Sequence, residues 1–233
     1  MRQHSGIGVL DKAMTVLHAV ADEPCNLSLL CERTGLPRAT AHRLAVGLET
    51  HRLLIRNAQG LWAPGPALAE LAATAKDTLV DAASYVLPRL REITGESVQV
   101  YRRDGLDRIC IASMEPPTGL RDTVLVGARL PMTAGSGAKV LAAWADLPVQ
   151  RALLAEAKYT DRTLSEVRRR GWAQSIAERE SGVASVAAPI RDGNGAVIAA
   201  ISVSGPIDRM GRKPGARWAA DLLAAADAIQ KRL

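Results

Sequence analysis

Residues 26–62, NLSLLCERTGLPRATAHRLAVGLETHRLLIRNAQGLW, set the architecture of this chain. Asn26 carries a short side-chain oxygen that accepts a free amide at a helix start. Leu27, Leu30 and Cys31 follow at helical spacing, so a short helix begins here. Thr34-Gly35 ends it, because glycine takes the positive φ of a C-cap, and Leu36-Pro37 leads into a second helix of about 14 residues. The turn between them, of about three to four residues, is that of a helix-turn-helix. In the second helix Ala41, Leu44, Ala45 and Leu48 fall at i, i+3, i+4 and i+7 and share a buried face. Arg38, Ala39, Thr40, His42 and Arg43 are left outward on its first turns, the layout with which a helix enters a major groove and reaches base edges. The helix start adds partial positive charge for a phosphate. An isolated Arg/His pair at a helix start is also the mark of an ordinary solvated face, and the next segment of the chain separates the two.

Leu53-Leu54-Ile55-Arg56 and Leu61-Trp62 are short apolar runs around Asn57-Ala58-Gln59-Gly60, a hairpin with turn residues at its tip. Helix, turn, helix and hairpin in that order make a winged helix-turn-helix. Arg52, Arg56, Asn57 and Gln59 are then expected along the DNA backbone or minor groove.

Toward the N-terminus, residues 1–7 read as a flexible leader. Residues 8–21 read as a helix whose Val9, Leu10, Ala13, Val16, Leu17 and Val20 form one stripe packed under the reading unit. Asp22-Glu23-Pro24 breaks it. Downstream, Pro64-Gly65-Pro66 marks a boundary, since two prolines around a glycine sit in neither a helix interior nor a central strand. The expected division is a DNA-binding domain over 1–65, a linker helix over 66–80 and a larger domain over 81–233. The linker stripe of Leu68, Leu71, Ala72, Ala75 and Leu79 needs cover from its own chain or from a second copy.

The larger part mixes helices (82–94, 134–144, 149–157, 163–170, 216–233) with strands (97–102, 108–113, 123–126, 172–175, 183–190, 197–203). Asp192-Gly193-Asn194-Gly195 joins two of the strands in a hairpin. The fold class is α+β, with an antiparallel sheet and helices beside it.

Composition narrows the chemistry. A chain of 233 residues, 48% hydrophobic, is comfortable for two cores, and the near absence of aromatics (3%, no Phe) makes those cores aliphatic. A net charge of +6 and a pI near 9.6 suit a polyanionic partner without proving one. The three cysteines lack any CxxC spacing, which argues against a disulfide framework or zinc site and for a reducing cytoplasm. The start is polar and no apolar run approaches a membrane span of about 18 residues, so neither a signal peptide nor a membrane partner is expected. All four histidines lie within the first 51 residues. Ser136 in Ala134-Gly135-Ser136-Gly137-Ala138 therefore has no downstream base, and its outer positions fail the G-x-S-x-G elbow. Residues 135–139 also fail the P-loop pattern. No catalytic, metal or cofactor site is expected. Arg168-Arg169-Arg170 and Glu178-Arg179-Glu180 read as charged surface.

A small-molecule pocket fits better. Gly135-Ser136-Gly137 opens a helix whose backbone amides and hydroxyl suit a carboxylate. Ser202 and Ser204 share one strand face, and Ser185 is placed to join them; the same serines equally suit a sheet of small residues. Two rivals stand beside a regulator: an enzyme carrying an interaction module, disfavoured by the failed nucleophile motifs, and an architectural binder without a ligand.

The stretch TGLPRATAHRL, the wing closing on Leu61-Trp62-Ala63-Pro64-Gly65, and RGWAQSIAERESGVASVAAPI followed by VIAAISVSGP resemble the IclR family of transcription regulators across nearly the whole chain. TAHRLAVGLE, LRDTVLVGARLPM and RRRGWAQSIAERE further resemble its actinobacterial NdgR-type branch, which governs leucine and other amino-acid metabolism genes. The resemblance implies a ligand-responsive repressor or activator with a GAF-like effector domain, dimeric through its DNA-binding part and often tetrameric through its effector domains. It implies pocket residues at Leu120, Ser136, Gly137, Ser175, Val183, Ser185, Ser202 and Ser204. Ser175 and Ser185 stand where carboxylate-sensing relatives have an acidic residue and a cysteine, so the expected effector class widens to a carboxylate, amino acid or keto acid.

Overall fold

The computed structural model describes residues 5–75 and 77–233, so residues 1–4 of the expected leader lie outside the described residues. The chain forms two compact units, 1–76 and 77–233.

The first unit runs α1 (Gly8–Asp22), α2 (Leu27–Thr34), α3 (Arg38–Thr50), β1 (Leu54–Arg56), β2 (Trp62–Pro64) and α4 (Pro66–Thr74). Local chemistry sets the helix-turn-helix. Asn26 Oδ1 accepts from the Leu29 amide at 3.0 Å, and Gly35, at φ +69°, donates its N–H to Cys31 O at 2.8 Å. Val16, Val20, Cys25, Leu30, Ala41, Ala45, Leu54 and Trp62 make the core. Trp62 is fully buried, and its indole Nε1 donates to Glu49 at 3.1 Å. Its backbone also exchanges two hydrogen bonds with Cys25, at 3.0 and 3.1 Å, tying the wing to the segment before α2. At Gly65 the backbones pass so closely that a Cβ would lie 2.1 Å from Arg52 O, which only glycine permits.

Two expectations change in this unit. Only the C-terminal part of the α1 stripe is covered: Val16 and Val20 are buried, whereas Val9 is 66% and Leu10 47% exposed. The 15-residue α1 outruns the 8-residue α2 it packs on. The linker is also two helices instead of one over 66–80. α4 ends at Thr74, Ala75 is extended, and Asp77 caps a new helix by accepting from the Leu79 and Val80 amides. Leu79 therefore joins the core of the second unit, 2% exposed, while Leu71 on α4 is 61% exposed.

The second unit runs α5 (Thr78–Thr94), β3 (Ser97–Asp104), β4 (Asp107–Met114), β5 (Arg129–Pro131), α6 (Ser136–Ala143), α7 (Leu147–Leu154), α8 (Asp161–Arg170), β6 (Ala173–Ile176), β7 (Val183–Arg191), β8 (Val197–Pro206), α9 (Ile207–Met210) and α10 (Pro214–Gln230). Its sheet is antiparallel throughout, in the order β5-β4-β3-β8-β7-β6. The strand expected at 123–126 is a loop, anchored by the buried Val124. The edge strand is β5 instead, entered through a turn in which Gly127, at φ +88°, donates to Cys110 O.

Alternation divides the sheet. Val98, Val100, Val186, Ile201 and Val203 pack with α5 and α10 in one core. Tyr101, Ala187 and Ala200 point the other way, into a core with α6 and α8. Among the described residues, no helix is long and apolar enough to cross a membrane.

Asp77 does more than cap α5. Its carboxylate takes two hydrogen bonds from Arg102, at 2.9 and 3.1 Å, and these hold its carboxyl below the usual carboxylate range. A folded-state pKa lower than the unfolded one gives stability that is present above about pH 4 and lost as pH falls through the folded value. Asp77→Asn keeps a capping oxygen but loses the ion pair. It is expected to lower the urea midpoint at pH 7, with the gap from the wild type closing as the pH drops toward 3.

Candidate DNA interface and effector pocket

The α3 helix starts bare. Its N-cap, Pro37, has no side chain to accept an amide, and the first turn carries no acid. The first intrahelical bond runs from the Ala41 N–H to Pro37 O, so the amides of Arg38, Ala39 and Thr40 face outward unpaired within the helix. Arg38, Ala39, His42 and Arg43 are exposed and Thr40 is half-buried. Among the described residues, neither Arg38 nor Arg43 has an ion-pair partner. The His42 ring stands edge-on to Trp62, with centroids 6.0 Å apart, which joins this face to the wing's core.

The wing residues divide. Gln59 is exposed at the tip. Asn57 holds the turn together, its Oδ1 accepting from the amides of Gln59 (3.0 Å) and Leu61 (2.9 Å). The Arg56 guanidinium lies 3.6 Å from the Trp62 ring centroid, donates to Gly60 O at 2.8 Å and comes within 3.7 Å of Glu49. Arg52 sits past the far end of α3, about 20 Å from Arg38 at 1.5 Å per residue. It adopts φ +60° and pairs with Glu70 of α4. The structure therefore leaves Arg38, Ala39, His42 and Arg43 exposed on the first turns of α3, with Thr40 half-buried at their edge, and leaves Arg52 apart, tied to α4.

The pocket lies between the sheet and the start of α6. Strand register sets four serines in one row, Ser97↔Ser204 across β3 and β8, Ser204↔Ser185 across β8 and β7, and Ser185↔Ser175 across β7 and β6. Gln99 pairs with Ser202 in the next inward row. Ser136 reaches down from α6 and donates to Ser185 Oγ at 2.7 Å, with Ser202 Oγ 3.4 Å away. Ser204 donates to Gln99 Oε1 at 3.1 Å. Gly135 makes the approach possible at φ +101°, its amide donating to Glu178 Oε2 at 3.2 Å. The cavity is about 20 Å³, close to what a single water needs.

Ser136, Gly137, Ser175, Val183, Ser185, Ser202 and Ser204 all line it. Leu120 does not: the residue is 74% exposed, and its carbonyl accepts from Arg209 on α9. That hydrogen bond and the Arg179–Asp122 bridge both tie the 115–128 loop down.

Sequence reasoning missed the rest of the polar lining, the neutral Tyr101 and the charged Arg108, Asp122, Arg179 and Glu180. Arg179 is not the solvated turn residue its neighbours suggest. It bridges the buried Asp122 at 2.7 Å and Glu180 at 2.6 Å. Arg108 is 3% exposed, and burial lowers its pKa. Burial likewise pushes Tyr101 above the ordinary tyrosine range, and Tyr159, which donates to Met132 O at 2.6 Å, up to about 12. A usable signal was the alternation in residues 97–101, SVQVY, which puts Ser97, Gln99 and Tyr101 on the inward face between valines.

Two family descriptions match this chain: "IclR helix-turn-helix domain" over residues 9–58 and "Bacterial transcriptional regulator IclR C-terminal" over residues 71–231. It is 31% identical to the HTH-type transcriptional regulator BhcR of Paracoccus denitrificans, over 88% of this chain and 80% of that protein. It is 29% identical to the glycerol operon regulatory protein of Streptomyces coelicolor, over 88% of this chain and 87% of that one. Among solved structures, the IclR transcriptional regulator of Alicyclobacillus acidocaldarius superposes with a TM-score of 0.86 at 25% identity, covering 97% of this chain and 98% of that one. An IclR homolog from Microbacterium hydrocarbonoxydans complexed with 4-hydroxybenzoate shares the fold, with a TM-score of 0.85 at 24% identity and the same coverages. With helix-turn-helix and C-terminal domains both matched, this chain belongs to the IclR family of bacterial DNA-binding transcriptional regulators.

Proposed function

We propose that the protein reads an operator with Arg38, Ala39, Thr40, His42 and Arg43 of α3, aided by Gln59 at the wing tip. In this reading a small molecule in the serine-lined cavity adjusts that binding. The observation that carries it is the bare start of α3, with open amides, no acid and two arginines unpaired among the described residues. Arg33, Arg52 and Arg56, by contrast, are each held by a glutamate within the unit. Cations left uncommitted beside a helix start suit phosphate and base edges.

The uncovered apolar residues of α1 and of α4, Val9, Leu10 and Leu71 among them, support a homodimer formed through the DNA-binding unit, with a dimer of dimers as the larger assembly. The resemblance of 40–49, 120–132 and 168–180 to NdgR-type regulators supports amino-acid metabolism genes, leucine-related ones among them, as targets. The effector class is a carboxylate, amino acid or keto acid, in keeping with the hydroxyl-lined cavity. A ligand alters DNA affinity only to the extent that it binds one arrangement of the DNA-reading units better than another, with coupling typically about 1–3 kcal/mol.

Fluorescence anisotropy on an operator fragment tests this against a panel of amino acids, branched keto acids and small carboxylates. At least one compound is expected to change the apparent Kd by about 5- to 150-fold. The same compound at a hundred times its Kd should stabilise the protein by about 2.7 kcal/mol. An inert panel in both assays would favour a ligand-independent DNA binder.

A further inference from the structure

The pocket holds a buried cation that its own carboxylates do not serve. Arg108 lies on β4, facing α6. Its Nη1 donates to the carbonyls of Pro131 and Ala134, and its guanidinium carbon lies 5.3 Å from the Tyr101 ring centroid. Its Nε–H is buried without an acceptor. Asp122 and Glu180, the two carboxylates of the cavity wall, are both bound by Arg179. A buried guanidinium with a spare donor is unfavourable unless water or an anion completes it, and an anion also offsets its buried charge.

Geometry locates that anion. A Cβ on Gly135 would lie 3.1 Å from Arg108 Nη2, and one on Gly137 would lie 3.8 Å from Nε. The guanidinium thus runs along the first turn of α6, where the positive ends of the backbone dipoles point. Glu178, itself paired with Lys139, accepts the Gly135 amide; the Arg108 guanidinium and the next amides of α6 converge on one small cavity, with the hydroxyls of Ser136, Ser185 and Ser202 on its other side.

We propose that Arg108 is the anion anchor of this pocket: the effector places a carboxylate between the Arg108 Nε–H and the start of α6. The assignment rests on the effector reading above and goes beyond it, because it requires a negative charge and names the residue that selects for it. The closed cavity, at about 20 Å³, holds little more than one water, so admitting the carboxylate needs the Arg179–Asp122 bridge, which joins segments 57 residues apart, to part and widen it.

The test uses the full-length protein with arginine side-chain nitrogens labelled, the Arg108 Nε–H resonance being assigned by its loss in Arg108→Lys. Acetate, acetamide and inorganic phosphate are titrated separately at constant ionic strength. Acetate is expected to move the Arg108 resonance saturably, and acetamide to leave it still. In parallel thermal melts, Arg108→Lys should weaken the acetate response by about tenfold, since a point charge replaces the planar fork, and Arg108→Gln should abolish it. A response to phosphate alone would overturn the carboxylate assignment. Compounds of the wider panel that stabilise the protein while leaving Arg108 unmoved would overturn the anchor but keep the effector pocket. Silence from every compound, charged or neutral, would overturn both.

Discussion

Trp62→Ala is expected to abolish DNA binding while the second unit stays folded. Trp62 is the largest side chain in a core of eight buried residues, and three partners depend on it: Glu49 accepts its Nε1–H, Arg56 stacks on its face and His42 stands at its edge. Truncating a buried tryptophan costs about 3–5 kcal/mol. A unit of this size, at about 0.05–0.15 kcal/mol per residue, has about 4–11 kcal/mol in all, so the truncation removes a large share of it. The second unit has its own two cores, neither of which includes Trp62. Calorimetry of the variant should therefore lose or strongly lower one transition and retain the other, and gel shifts should show no complex. Operator binding at wild-type strength would contradict this role for the wing.

Arg43→Ala acts on recognition instead of folding. Arg43 is exposed, one turn into α3, and has no ion-pair partner among the described residues, so its removal should leave the fold intact. If it reads a base edge, discrimination between operator and random duplex should fall by about 1–3 kcal/mol. Anisotropy on both duplexes at two salt concentrations measures this. Equal weakening on the two would make Arg43 a phosphate contact and move specificity to Arg38, Thr40 or His42. Arg52→Ala, by contrast, removes a side chain already paired with Glu70 and is expected to change discrimination little.

These two variants also mark where local chemistry was enough. Asn26, Gly35 and Pro37 act on their immediate neighbours, and so α2, its cap and α3 can be read from adjacent residues. The bridge between Cys25 and Trp62 joins positions far apart in the chain, and nothing in either neighbourhood announces it. The break after α4 turned on Asp77, whose capping role competes with a continuous apolar stripe through Leu71, Ala75 and Leu79. The stripe was a true periodicity shared by two helices.

The pocket shows the same division. Period-two alternation in 201–204 puts Ser202 and Ser204 on one face, but only the strand order aligns them with Ser185, Ser175 and Ser97. Arg179 read as charged surface and Arg108 only as the start of a strand, because sequence carries no sign of which strand face α6 covers, or of the loop that brings in Asp122. Leu120 was placed by the resemblance, and the structure leaves it outside the cavity lining, 74% exposed on a loop whose backbone Arg209 holds.

Everything functional proposed for the first unit depends on α3 reading DNA sequence. The decisive measurement incubates sheared chromosomal DNA from the host with the purified protein at moderate ionic strength, then recovers and sequences the bound fragments. A small set of enriched sites is expected, built from two related half-sites about 10 base pairs, or a multiple of that, apart, with the enrichment lost in the Arg38→Ala/Arg43→Ala double variant. Recovery of fragments in proportion to their abundance, identical for wild type and double variant, would refute sequence reading by α3.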